Sequence, residues 1–421
     1  MKIGIVGCGF AGMTAALFLA RDGHQVSLFE RVSAPQPVGA GILVQPIGQR
    51  ILAQLGVAEE IRRQIAPIDR LTGVSHTGRT VMNIAYGDWR DDPSAQGWGT
   101  HRGVVYQALL QAVRDHPGII LRTGYDINRY AEDPHGIRLF EQFPRGDEAL
   151  EERFALLVIA DGTRSILRRV WCATASLHER AHPYPWGAYW AVLPDHAGAY
   201  TQALRQWYRG AREMLGIMPT GLAPGGTTPV VSLFWSLPTA AHASAPLNVA
   251  QLKRRALNLN PAAAPLLESL QDESQLAYAH YADVTLPRWH HGRAVVIGDA
   301  AHAMSPQLGM GANLALVDAW SLAQCVRGIK ESESGVAQAL ASYTQERVAH
   351  TRYFQRASRW LTPFYQSNWD AVAWGRDWLM QPLLSIPYVQ QQMLGTLTGY
   401  KAGIFTGRLH LPYSISKSLR D

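Results

Sequence analysis

Cysteine is scarce in this chain. Its 421 residues include 3, Cys8, Cys172 and Cys325, which lie far apart and form neither a CxxC pair nor a zinc-ligand pattern. That excludes a disulfide scaffold and gives no metal site to expect; reduced thiols in a cytoplasmic protein are the reading. Long apolar runs are missing too: nothing reaches the roughly 18 residues of a membrane span, so no integral membrane segment is expected. Met1-Lys2 leads straight into an apolar strand, without room for a cleavable leader. Charged residues make up only 17% of the chain, and the formal net charge of +6 comes from scattered Lys and Arg, with pairs such as Arg62-Arg63 and Arg168-Arg169 instead of basic tracts. A nucleic-acid partner is therefore not expected. Repeats and low-complexity segments are absent, and the 47% hydrophobic content is that of a folded protein too long for one core.

What is present is concentrated at the start. Gly7, Gly9 and Gly12 follow the apolar run Ile3-Gly4-Ile5-Val6 and precede an apolar helix pattern through Ala20. The first glycine permits a tight turn, the second a close approach to a pyrophosphate, and the third close helix-strand packing; Ala11 lies within the same turn. The helix aims unpaired amides at the phosphates. A second strand, Gln25 to Phe29, delivers Glu30 18 residues after Gly12, where a carboxylate can accept from both hydroxyls of an adenosine ribose and would repel a 2′-phosphate. A glycine triplet alone is equally a plain strand-to-helix turn. Here strand, helix and acid agree on an ADP-containing ligand, with FAD and NAD both open.

Further along, Pro46 to Gly56 reads as a helix carrying Arg50, Leu71 to Tyr86 as a hairpin excursion, and Val104 to Arg114 as a helix preceded by His101-Arg102. Leu156-Leu-Val-Ile-Ala and Ala294-Val-Val-Ile are continuous apolar runs, as in strands buried on both faces. Between them, from Trp186 to about Asp283, short alternating segments separated by Pro/Gly clusters have antiparallel-sheet grammar. Beyond Val348 the pattern is helical, interrupted by Pro363, Pro382 and Pro387. Trp374, Trp378, Leu379, Leu383 and Leu384 there are expected to cap the core, with a membrane or partner surface as the other reading.

Two later strand ends carry acid-glycine signals that a simple NAD dehydrogenase does not need: Asp161-Gly162, and Gly298-Asp299 continuing through Pro306 to Gly309-Met310-Gly311-Ala312-Asn313. A flavin is longer than its ADP half and needs a remote part of the chain for its ribitol and ring. Asp299 can accept a ribitol hydroxyl, and the Gly309 to Gly311 turn can bare amides beside the ring. On these residues the chain resembles the single-component, class A flavoprotein monooxygenases of the para-hydroxybenzoate hydroxylase superfamily, over roughly residues 1 to 350.

The resemblance implies an α/β protein: a Rossmann-like FAD-binding domain (1–70, 98–180 and 285–350), an inserted antiparallel β-sheet substrate domain (71–97 and 181–284) and a C-terminal helical region (351–421). It implies FAD contacts from Gly7, Gly9, Ala11, Gly12, Glu30, Arg31, Arg50, Arg102, Asp161, Asp299, Pro306, Gly309, Gly311, Ala312 and Asn313. Met310 stands where a glutamine is common. With no second glycine fingerprint, NADPH or NADH acts as a transient reductant, and oxygen passes through a flavin C4a-hydroperoxide to an electron-rich aromatic or apolar small molecule. Pro306 is the residue expected nearest the reacting oxygen.

The inserted sheet supplies the substrate wall, with Trp190, Tyr208, Met218 and Phe234 as candidates; period-two alternation turns only about half of its aromatics toward the flavin. His302 is read as loop packing. A flavin-dependent reductase or dehydrogenase of a lipid-like, prenyl-type substrate is the alternative enzyme. A halogenase lacks its Trp-x-Trp-x-Ile-Pro signature here, and a non-enzymatic escort would not need the ring turn. A monomer or homodimer is expected.

Overall fold

The computed structural model describes residues 1–36, 39–141, 148–329, 332–403, 407 and 409. Its largest core surrounds a six-stranded sheet ordered His290–His291, Ala294–Val296, Leu156–Ile159, Lys2–Val6, Gln25–Glu30 and Ile119–Thr123. All pairs are parallel except the one at the His290 edge. Ile3, Ile5, Val158, Ile159 and Val295 are fully buried, as continuous apolar runs in a parallel sheet covered on both faces should be. The opening helix, Phe10–Arg21, is buried along almost its whole length because it packs between this sheet and the helix Gly311–Val326. Gly23, just past its end, takes φ +85°, the left-handed conformation that favours glycine there.

A nine-stranded sheet forms the second layer. Arg180–Pro194, Gln202–Arg209, Glu213–Leu222 and Pro229–Pro238 carry the expected alternation, and Ala277–Thr285 closes one edge. The expected hairpin is present as Ala66–Ser75 and Thr80–Ala85. Two features differ from the sequence reading. The sheet is mixed, because Gln202–Arg209 runs parallel to Ala66–Ser75. It also takes in Gly41–Val44 and Gly97–His101, so sheet membership cuts across the proposed division of the chain at residues 70 and 98.

The stretch after Pro238 is helical, not more sheet, with Val249–Leu259 its longest helix. A signal for that helix stood in the sequence. Asn248 and Gln251 make a capping box, ahead of Val249, Leu252, Ala256 and Leu259 at helical spacing. Those apolar residues pack on one face of the sheet and build the second core.

The C-terminal helices Glu333–Tyr365, Asp370–Leu384 and Pro387–Leu397 begin earlier than the prolines suggest, and Pro363 and Pro382 are accommodated inside helices. The expected packing cap fails for most of its residues. Leu384 is buried, but Trp374, Trp378, Leu379 and Leu383 are 64%, 47%, 58% and 48% exposed. The helix turns its Ala373 and Arg376 side inward instead. Residues 404–406, 408 and 410–421 of the proposed C-terminal region lie outside the described residues. Among the described residues no helix is long and apolar enough to cross a membrane.

Candidate active site

The three glycine-acid turns leave the carboxyl ends of three adjacent parallel strands, the position where open α/β sheets bind ligands. Missing side chains let them touch. Gly7, at φ +108°, lies against Ala160 and Asp161, and any Cβ there would overlap the Ala160 carbonyl. A Cβ on Gly12 would overlap the Gly7 carbonyl, and one on Gly298 would come 2.9 Å from Ala11. The opening turn and the ring-end turn are therefore in direct contact, close enough for one extended ligand to span. Around Gly9, by contrast, the space where a Cβ would point is open, which is the cradle a pyrophosphate needs at the N-terminus of a 12-residue helix.

Glu30 is held at the mouth of this cradle. Its carboxylate accepts from the Cys8 N–H (3.1 Å) and the Val32 N–H (3.0 Å), with lone pairs left over for ribose hydroxyls. Arg31 follows it on the surface. Burial and then the Glu30 charge push the Cys8 thiol up to about 12, which keeps it protonated beside the carboxylate. Arg102 opens the Arg102–Asp115 helix after the His101 cap, with its guanidinium 5.4 Å from the Phe10 ring and its stem against Gly39. It thus stands at the start of the opening helix. Arg50 lies farther out, 5.6 Å over the Tyr400 ring.

At the ring end, Asp299 begins a short turn of helix and its carboxylate faces the start of Gly311–Val326: a Cβ on Gly311 would sit 3.6 Å from it. The Pro306–Leu308 turn follows and ends on Gly309 at φ +62°. The Asn313 side chain is spent on the protein's own backbone. It is fully buried, accepting from the Gln45 N–H (2.8 Å) and donating to the Leu43 and Gly309 carbonyls (3.0 Å each), so it fixes the turn and has no side-chain donor to spare for a ligand. Only its backbone, with that of Gly311 and Ala312, remains for one. Met310 is buried toward Ile47 and Gly399, so a residue without hydrogen-bonding capacity serves at that position.

Two side chains support the turns from behind: Arg168, which stands in the sequence three residues after the Asp161-to-Ser165 signal, and Asp318, which no sequence pattern marks. Arg168, buried and ion-paired with Glu179, donates to the Thr163 carbonyl (3.0 Å) and the Ala300 carbonyl (3.1 Å), tying the second turn to the third. Asp318, fully buried on the Gly311–Val326 helix, accepts from the Gly298 N–H (2.9 Å), from His302 and from Arg347 (2.8 Å). Arg347 in turn meets His350, which reaches the Gly399 carbonyl. Burial pushes the Asp318 carboxyl up, but His302, Arg347 and the Gly298 amide outweigh it and hold it down to about 2. Residues so far apart in sequence leave no local pattern.

Asp161 shows the opposite. Burial pushes its carboxyl up, and its Oδ1 has no partner among the described residues. An orphaned buried acceptor beside the glycine cradle, together with the open space at Gly9, fits a ligand with hydroxyl donors such as a flavin dinucleotide.

The nine-stranded sheet resolves the alternation. Tyr189, Leu215, Leu233 and Trp235 face the Val249–Leu259 helix, while Trp190, Tyr208, Met218 and Phe234 share the other side. Met218 packs with Leu43 and reaches Gly41, and Leu43 borders Gly309, so this side adjoins the ring turn. Trp190 and Phe234 pack with ring centroids 5.0 Å apart, and the indole donates to the Tyr281 hydroxyl (2.9 Å). Tyr208 is walled off: fully buried, it donates to Gln206 and lies under the Arg376 guanidinium, joining the sheet to the C-terminal helices.

A family model described as an FAD binding domain matches residues 1–358. The 6-hydroxynicotinate 3-monooxygenase of Bordetella bronchiseptica is 26% identical over 395 residues, covering 91% of this chain and 97% of its own. The 6-methylpretetramide 4-monooxygenase of Streptomyces rimosus is 30% identical over 323 residues, 75% of this chain and 72% of its own. Among solved structures, Klebsiella pneumoniae HpxO complexed with FAD and uric acid shares the fold at a TM-score of 0.77 and 19% identity, covering 95% of this chain and 97% of that one.

Two outcomes follow from the buried carboxylates. Asp318→Asn leaves Arg347 without its counter-charge and should cost about 3–5 kcal/mol in urea unfolding; a loss under 1 kcal/mol would remove the network from the structure's supports. With a folded carboxyl at about 2 against an ordinary 3.8, the wild-type contribution is complete above pH 4 and lost as pH falls toward 2. Asp161 has the reverse sign, since its raised carboxyl costs stability as pH rises past the ordinary carboxylate range. Ligand-free Asp161→Asn should therefore melt no lower than wild type at neutral pH, and a clear drop in Tm would show that the charge is already compensated.

Proposed function

Because this chain belongs to the FAD binding domain family and, within it, to the class A flavoprotein monooxygenases of the para-hydroxybenzoate hydroxylase superfamily, we propose a residue-level account of how it holds its cofactor and selects its substrate. It is an FAD-dependent, NAD(P)H-consuming monooxygenase that hydroxylates an aromatic or other electron-rich apolar small molecule. The observation that carries the account is the contact of the three turns at adjoining strand ends, above all Ala11 against Gly298.

FAD, when bound, supplies the redox and oxygen-transfer chemistry. The chain's residues divide the work of holding it. The Gly7-Gly9-Ala11-Gly12 turn takes the pyrophosphate and Glu30 the adenosine ribose, with Arg31 at the edge of that site. Arg102 neutralises phosphate charge beside Phe10, and Arg50 closes the cleft near Tyr400. Asp299 accepts a ribitol hydroxyl, and Asp161 accepts from a hydroxyl that reaches its unpaired oxygen. The amides at Gly311, Ala312 and Asn313 open the Gly311–Val326 helix and would hold the ring end of the cofactor, where a helix start favours negative charge. Pro306 presents a carbonyl and a rigid apolar ring next to the reacting position, while Gly309 supplies the left-handed turn that brings the amides round.

Trp190, Phe234 and Met218 form the substrate wall. The polar groups beside Met218 are already satisfied, because Thr220 bonds to Ser232 and Ser232 accepts the Gly41 N–H. A wall of two aromatic rings and a thioether, with its hydroxyls engaged, suits a neutral planar aromatic ring better than a carboxylate.

With Asp299→Ala, FAD retention measured by titration should fall about 5- to 150-fold, the worth of about 1–3 kcal/mol for a buried hydrogen bond; unchanged retention would remove Asp299 from the site. A screen of neutral and carboxylated aromatics should find compounds that speed NAD(P)H oxidation and gain an atom from labelled O₂. Trp190→Ala should then raise KM without changing FAD retention. Turnover that proceeds without oxygen through another acceptor would overturn the assignment.

A further inference from the structure

The helix Asp370–Leu384 is inside out. Beyond the exposed Asp370 at its start, its charged side chains turn toward the protein: Arg376 is buried, donating to the Phe364 and Gly210 carbonyls and pairing with Asp377. Its outer face from Ala371 onward is uncharged and carries Trp374, Trp378, Leu379 and Leu383; Trp369 (65% exposed) caps its start, and Trp360 (60%) is exposed on the preceding helix. Water gives no reason for that arrangement, and an exposed apolar patch of this kind marks an interaction surface.

We infer that this face docks on the surface of an anionic lipid bilayer, lying in the interfacial plane. Three observations select that occupant. The exposed side chains are dominated by tryptophan, the residue that settles at the boundary of headgroups and acyl chains. Guanidinium groups stand among them: Arg79 lies 3.4 Å over the Trp378 ring, and Arg352 and Arg356 are exposed on the same helical stripe as Trp360. From Arg352 to Tyr388 the carboxylates are Asp370, paired with Arg212, and Asp377, paired with Arg376. A second copy of this chain would bring the same tryptophans and guanidinium groups to a two-fold contact, with the carboxylates of the helix already paired and only the Asp88–Asp92 loop at its edge to answer them, whereas anionic headgroups answer every guanidinium.

The patch has an edge and an entry. The acidic loop Asp88–Asp92, bound by Gln390 and Gln391, borders it beside the Pro387–Leu397 helix. A cavity of about 650 Å³ opens between Trp374, Trp378 and the Thr77–Arg79 turn; Asp370 and Asp377 also line it, paired with Arg212 and Arg376, which leaves the Arg79 guanidinium as the charge a headgroup would meet. Since no described helix is long and apolar enough to span a bilayer, attachment is peripheral and reversible.

The test uses the purified, FAD-loaded enzyme with vesicles of phosphatidylcholine alone or containing phosphatidylglycerol. The enzyme should sediment with the anionic vesicles, shift its tryptophan emission to the blue and dissociate as salt rises. Arg79→Gln should weaken binding about fivefold, and the pair Trp374→Glu and Trp378→Glu should abolish it, while flavin content and Tm stay at the wild-type level. Absence of sedimentation with intact enzyme, or equal binding to both vesicle types, overturns the proposal. So does a concentration-dependent dimer that the two Trp→Glu substitutions dissociate, because a second copy would then own the surface.

Discussion

Three backbone turns can share one cleft only where no side chain holds them apart. Gly7 against Ala160, Gly12 against the Gly7 carbonyl and Gly298 against Ala11 are the points at which this is decided. A methyl group at any of them would force the strand ends away from one another or from the opening helix. A long cofactor has to be gripped at several places by loops that come from strands more than a hundred residues apart in sequence. The glycines therefore act on each other as much as on a phosphate: they set the distance between the grips.

Close approach of bare backbone has to be made rigid from behind. Asp318 does this for the ring-end turn by accepting from the Gly298 amide while neutralising Arg347, and Arg168 does it for the second turn through the Thr163 and Ala300 carbonyls. Asn313 does the same between the Gly309 turn and the strand Gly41–Val44. Each is a buried polar group with several partners, which is how a polar side chain in a core can fix geometry without a large loss of stability. Asp161 stands apart with an unpaired oxygen, and that contrast makes it a marker of the ligand cleft.

The second layer separates two jobs by strand alternation. One side of the nine-stranded sheet is an ordinary core against the Val249–Leu259 helix. The other carries Trp190, Met218 and Phe234, of which Met218 adjoins the ring turn through Leu43, and uses Tyr208 under Arg376 to seat the C-terminal helices. Drawing Arg376 inward for that purpose leaves the opposite side of its helix without charge, so the seating of the helix and its apolar outer face have the same cause.

Signals that are local in the chain were legible in it: the glycine spacing and Glu30, the acid-glycine turns at Asp161 and Asp299, the strands buried on both faces and the hairpin at Ala66–Ala85. Each depends on the steric rules of a few consecutive residues, so the sequence by itself determined the strand-turn-helix units and the kind of ligand they suit. The capping box at Asn248 was legible and outweighed by the sheet pattern before it. Tertiary structure alone decided what needs distant partners. It decided which half of the alternating aromatics packs against the Val249–Leu259 helix and which lies on the other side, that the Asn313 side chain is spent on the Gln45, Leu43 and Gly309 backbone, and that Asp318 finds His302 and Arg347. It also decided that Trp374 and Trp378 point outward, because helical periodicity marks an apolar stripe without saying which side the protein is on.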